Sequence, residues 1–103
     1  MTRITNIALQ ATVRGVNQAT GAASAVVAIP NNSSGQKARL VRVYATQDAY
    51  IKQGIAGITA AAGDMIVGAG GAGAVILNCN GASHIACIQV SVAGLINITP
   101  LED

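Results

Sequence analysis

The chain has 103 residues, of which 51 % are apolar and 10 % charged, with a formal charge of +2 and two aromatics, Tyr44 and Tyr50. That length allows one domain, in which folding hides only about 60 to 65 % of the surface an unfolded chain exposes. Soluble domains ordinarily carry roughly 25 % charged residues, so much of this surface must be Ala, Gly, Ser, Thr, Asn and Gln, which is cheap to desolvate and suits a chain that lives against neighbours.

Charge and hydropathy exclude several classes. Arg3, Arg14, Lys37, Arg39, Arg42 and Lys52 are too scattered for a phosphate-binding stripe, and there is no aromatic cluster for base stacking, so no nucleic-acid partner is expected. Lys37, Arg39 and Arg42 fall on one segment and read as a solvated strand edge or, more sharply, as a contact to an acidic partner. No apolar run reaches the ~18 residues of a membrane span, and the start lacks the layout of an export signal, so a soluble chain with no membrane partner is expected.

In chain order, short runs rich in Val and Ile alternate with Gly, Asn, Ser or Asp clusters at spacings of roughly 8 to 12 residues, which predicts an all-β sandwich or barrel. The predicted strands are Ile4 to Ala11, Ser24 to Ile29, Ala38 to Thr46, Ala49 to Gln53, Asp64 to Val67, Ala74 to Asn78, His84 to Ser91 and Leu95 to Thr99. Residues 1–23 read as an N-terminal strand followed by an arm or loop, because Thr12 to Ala23 has no period; residues 24–103 read as the sandwich. Pro30 and Pro100 should each close a strand, Gln47-Asp48 and Ala93-Gly94 should turn the chain, and Asn80-Gly81 is a hairpin signal.

Two strands carry apolar residues on both faces. Arg39, Val41, Val43 and Ala45 alternate with Leu40, Arg42, Tyr44 and Thr46, and Ala86, Ile88, Val90 and Val92 with Ile85, Cys87, Gln89 and Ser91. With no helices to cover a second face, the outer face is expected to pack on another molecule.

Chemistry-bearing motifs are weak. Gly68-Ala69-Gly70-Gly71-Ala72-Gly73 has the spacing of a dinucleotide-binding turn, but a strand follows it instead of a helix and no acid lies between Asp64 and Glu102; a flexible hairpin loop is the simpler reading. His84 is the sole histidine, and no nucleophile and acid set converges on it in sequence, so no catalytic residue, cofactor or enzymatic activity is assigned. His84, Cys79 and Cys87 match no usual zinc pattern. If residues 75 to 79 and 84 to 91 pair as a hairpin, the two cysteines stand about 10 Å apart, beyond disulfide reach, which predicts two buried free thiols.

The segments Ala49-Tyr50-Ile51-Lys52-Gln53-Gly54, Ala60-Ala61-Ala62-Gly63-Asp64-Met65, Ser83-His84-Ile85-Ala86-Cys87-Ile88-Gln89 and Ala93-Gly94-Leu95-Ile96-Asn97-Ile98-Thr99-Pro100-Leu101 resemble a group of small phage virion structural proteins. The resemblance spans residues 38–101 and departs at Gly68 to Gly73, where such proteins more often carry a proline or an aromatic. It implies an antiparallel β-sandwich, jelly-roll-like with about eight strands, located in the virion after assembly in the host cytoplasm. The implied role is a capsid decoration (cement) protein on the head exterior, with the major capsid protein and copies of itself as partners. Arg3, Arg14, Arg39, Arg42, Tyr44, Tyr50 and Lys52 are the expected interface residues. A tail, collar or fibre-attachment subunit is the alternative within structural proteins. A carbohydrate-binding module is the alternative of another class, although two tyrosines offer little to stack a sugar on.

Overall fold

The computed structural model describes residues 10–102. Its strands are β1 (Val16–Ala19), β2 (Ala25–Ala28), β3 (Leu40–Ala45), β4 (Ala49–Gly54), β5 (Met65–Val67), β6 (Val75–Asn78), β7 (His84–Gln89) and β8 (Leu95–Leu101). They form two four-stranded sheets, ordered β1-β8-β3-β6 and β2-β7-β4-β5, in which every neighbouring pair is antiparallel. Only β4 and β5 are consecutive strands within one sheet; each of the other connections crosses from sheet to sheet. Neither sheet closes on itself, so the fold is a two-layer all-β sandwich.

Alternation explains the core. Val41, Val43 and Ala45 of β3 and Ile96 and Ile98 of β8 point inward from one sheet, to meet Ala49, Ile51, Val67, Ile85 and Cys87 from the other. Because a strand turns alternate side chains to opposite faces, Arg42 and Tyr44 fall on the outside of β3. Arg39 shares the parity of Val41 but precedes β3 and is exposed. Ile85 and Cys87 are likewise the inner residues of β7, while Ala86 and Ile88 face outward. Val90 and Val92 lie beyond the end of β7 and are exposed.

Several sequence expectations need correction. Asn80-Gly81 does not close a hairpin: β6 and β7 lie in different sheets, and Asn80 (φ 46°) and Gly81 (φ 88°) turn the chain across the sandwich, with the Ala82 N–H donating to the Cys79 carbonyl at 2.8 Å. Both cysteines are still free and buried, although not for the hairpin reason. The Gly68 to Gly73 segment is not a hairpin loop either. It links β5 to β6 across the layers through a short 3-10 helix, Gly71–Gly73. A Cβ on Gly73 would sit 2.2 Å from the Gly68 carbonyl oxygen, so the close approach of the loop's two ends requires glycine there.

Pro100 does not close its strand. It is buried inside β8 and pairs with Val41, and proline fits because the ladder alternates. The Thr46 N–H to Leu95 carbonyl bond assigns the odd residues of β8 to β3, so the missing N–H of Pro100 is turned towards the β1 side, before β1 begins at Val16.

The expected strand from Ile4 lies outside the described residues up to Leu9. From Gln10 onward the chain runs along β8. Gln10 and Glu102 exchange two backbone hydrogen bonds, at 2.6 and 2.9 Å, and β1 occupies Val16–Ala19 within the stretch read as arm or loop. The sequence Val-Asn-Gln-Ala has one large apolar residue, and its ladder to β8, rather than its side chains, places it in the sheet.

Candidate interaction surface

The outer face of the β2-β7-β4-β5 sheet is assembled from short rungs. Val26, Ala86 and Lys52 stand side by side across β2, β7 and β4, while Ile88, Tyr50 and Ile66 form the neighbouring row across β7, β4 and β5. Val26 is 42 % and Ile66 51 % exposed, whereas Ala86 is fully buried between its neighbours. Lys52 is the only charged side chain in these two rows. A largely apolar surface with one cation loses little on dehydration, provided that a partner supplies an acceptor for the ammonium group.

The outer face of the β1-β8-β3-β6 sheet is finished differently. Asn97 on β8 donates its amide to the Asn17 Oδ1 on β1 at 2.8 Å and accepts from the Thr99 hydroxyl at 2.6 Å. Beside this polar chain, the Arg42 guanidinium sits 5.4 Å from the centre of the Tyr44 ring, a cation–π arrangement that holds the ring and its charge together. Leu40 and Leu101 form an apolar rung at one end.

The expected interface residues are therefore not one site. Arg42 and Tyr44 lie on one side of the sandwich and Tyr50 and Lys52 on the other; Arg14 is exposed in the segment before β1, Arg39 borders β3, and Arg3 lies outside the described residues. The described carboxylates are engaged in holding loops. Asp48 accepts from the Ala69 N–H at 2.7 Å and Asp64 from the Ala61 N–H at 2.9 Å, while Glu102 accepts from the Thr12 and Ser33 hydroxyls. Those hydroxyl bonds keep the Glu102 carboxyl below the usual carboxylate range. The surface thus presents cations outward while its described anions are tied into loops, a bias that composition alone did not reveal.

Among the described residues, Ser83 is the side chain hydrogen-bonded to His84. The His84 Nδ1 is 2.7 Å from the Ser83 Oγ, and the small cavity beside the pair, of about 190 Å³, is lined by Ile29, Lys37 and Ala38 among others, with no carboxylate. Cys79 and Cys87 face the core, where burial pushes both thiols up from their ordinary pKa, while His84 sits on the outer side of β7. Among the described residues no group of three or more His, Cys, Asp or Glu stands close enough to hold a metal ion. No protein-family model, curated protein or solved structure matches this chain.

Proposed function

We propose that this chain is a structural subunit of a phage particle: a capsid decoration protein that lies on the head exterior and stabilises the shell. The observation that carries this reading is the outer face of the β2-β7-β4-β5 sheet, where Val26, Ile66, Ile88 and Tyr50 share two rows with Lys52 and no helix among the described residues covers them. Burial of such a face contributes about 25 cal/mol per Å² of apolar area, and many copies acting together clamp a shell through avidity. Lys52 would pair with a carboxylate of the major capsid protein. The strand order supports the finer architectural reading: β1–β8, β2–β7, β3–β6 and β4–β5 pair as the successive rungs of one long hairpin rolled up, the layout of a jelly roll with two Greek keys.

Copy number tests this reading. Quantitative mass spectrometry of purified particles should give a ratio to the major shell protein of order one or a simple fraction of it. A ratio near zero moves the chain to the tail or collar, and absence from particles overturns a structural role.

A further inference from the structure

We infer that β6 is a self-pairing edge, joining two copies of this chain through an antiparallel β6–β6 contact centred on Ile76. The inference deepens the assembly role proposed above by naming a contact between copies, and it rests on that role only for its biological setting.

The ladder fixes which groups of β6 point outward. Cys79 donates its N–H to the Arg39 carbonyl at 2.8 Å, in the same register that pairs Val41 with Leu77 and Val43 with Val75. Antiparallel alternation then directs the backbone groups of Val75 and Leu77 at β3, and those of Ala74, Ile76 and Asn78 at the open edge. Two of these outward groups are already satisfied within the chain. The Asn78 carbonyl accepts from the Gln53 Nε2 at 3.0 Å, and the Ala74 N–H donates to the Gly71 carbonyl at 3.3 Å. What remains open among the described residues is the Ile76 N–H and carbonyl, the Asn78 N–H and the Ala74 carbonyl.

A two-fold contact with Ile76 opposite Ile76 uses this set completely. The two Ile76 residues exchange both of their bonds, and each Asn78 N–H faces the Ala74 carbonyl of the other copy. The two groups that would otherwise face each other in that register, the Ala74 N–H and the Asn78 carbonyl, keep their bonds to Gly71 and Gln53 within each copy. The edge beyond β6 is closed: the Gly70 N–H caps the Ala45 carbonyl at 2.9 Å, so pairing is confined to Ala74 through Asn78.

The side chains favour a second copy as the occupant. Ala74 through Asn78 carries no charge, proline or bulge, the devices by which edges are usually kept from pairing. The nearest like charges across a two-fold axis at Ile76 are the two Arg42 side chains, each one strand further in on the Ile76 rung and held over its own Tyr44. A two-fold contact through the Lys52 face would oppose two ammonium groups. Ile76 is 54 % exposed and Met65, on the neighbouring β5 edge, 45 %. Between the two edges lies a cleft of about 260 Å³ lined by Ile51, Gln53, Met65 and Leu77, which adds apolar area next to the shared ladder.

Sedimentation velocity on the full chain, over a concentration series, should show a species of twice the 10.2 kDa chain mass. Ile76→Pro removes an N–H that the monomer's ladder does not use, and Ile76→Lys adds a like charge at the axis. Each should keep the far-UV circular dichroism of the parent and raise the dimer dissociation constant by about tenfold or more, the proline by losing two backbone bonds and the lysine by opposing two ammonium groups. Residues opposite each other in a hydrogen-bonded antiparallel pair have Cα atoms about 5.5 Å apart, so Ile76→Cys should oxidise to a covalent dimer while Asn17→Cys, on the far edge, should not. A parent chain that stays monomeric at every concentration, or an Ile76→Cys variant that links no faster than Asn17→Cys, overturns the edge contact. A dimer that forms in solution but is absent from particles would overturn the assembly role and leave this contact standing.

Discussion

The two outer faces of this sandwich share one alternation rule and reach opposite surfaces. On the β1-β8-β3-β6 side, Asn17, Asn97 and Thr99 bond to one another, and Arg42 rests over Tyr44, so polar groups find partners within the chain. On the β2-β7-β4-β5 side, Val26, Ile66 and Ile88 leave apolar area around Lys52. Internal satisfaction makes a face stable in water, and its lack makes a face available to a partner. That difference distinguishes the two faces except at the β6 edge, where Ile76 on the polar-faced sheet is 54 % exposed.

The largest effects should ignore the difference altogether. Ile85 and Ile98 are fully buried, one from each sheet, and fill the core the two faces share. Ile85→Ala and Ile98→Ala should each lose about 2–5 kcal/mol of stability in urea denaturation. A large inequality between them would show that the two layers do not share one core. Next in size is an assembly effect. Lys52→Glu should weaken binding to phage shells about tenfold or more and leave the urea midpoint nearly unchanged, because an exposed charge contributes little to folding. Arg42→Glu on the opposite face should weaken binding less. Equal losses would assign the two faces equal roles.

Asn97→Ala should reverse that pattern. It removes the bond to Asn17 that ties β8 to β1, and the bond from Thr99 within β8 that helps finish the polar face. A loss of about 1 kcal/mol in stability is expected, with shell binding unaffected. Weaker shell binding with unchanged stability would identify the polar face as the docking surface.

Much of this layout was legible in the sequence, and the exceptions share a cause. The strands β3 and β8 announce themselves through alternating Val and Ile, and β4 and β7 through short apolar runs bounded by turn residues, which are local signals. Which sheet a strand joins is not local: Asn80-Gly81 permits either a hairpin or a crossover, and only the packing of Leu77 and Ile85 into one core from opposite layers decides it. β1 escaped notice because Val-Asn-Gln-Ala has almost no apolar pattern and is held by backbone bonds to β8. Pro100 misled because its tolerance depends on which neighbour its missing N–H would face. The candidate interface was legible only as types of residue. Tyr44 and Arg42 read much like Tyr50 and Lys52 until the sheets place them on opposite sides.

The smallest effect expected concerns the end of the polar-faced sheet, where Glu102 joins three segments. Its carboxylate accepts from Thr12 and Ser33, and its backbone pairs with Gln10. Those hydroxyl bonds favour the ionised carboxylate and lower its pKa in the folded chain. A group depressed on folding binds protons more readily when unfolded, so its contribution is present above the ordinary carboxylate range and lost as pH falls through the lowered value. Glu102→Gln should therefore be less stable than the parent near neutral pH, with the gap closing in acid. A gap independent of pH would show that the bonds from Thr12 and Ser33 do not favour the ionised carboxylate. The variant should leave shell binding through the Lys52 face intact, because its effect is confined to the opposite sheet.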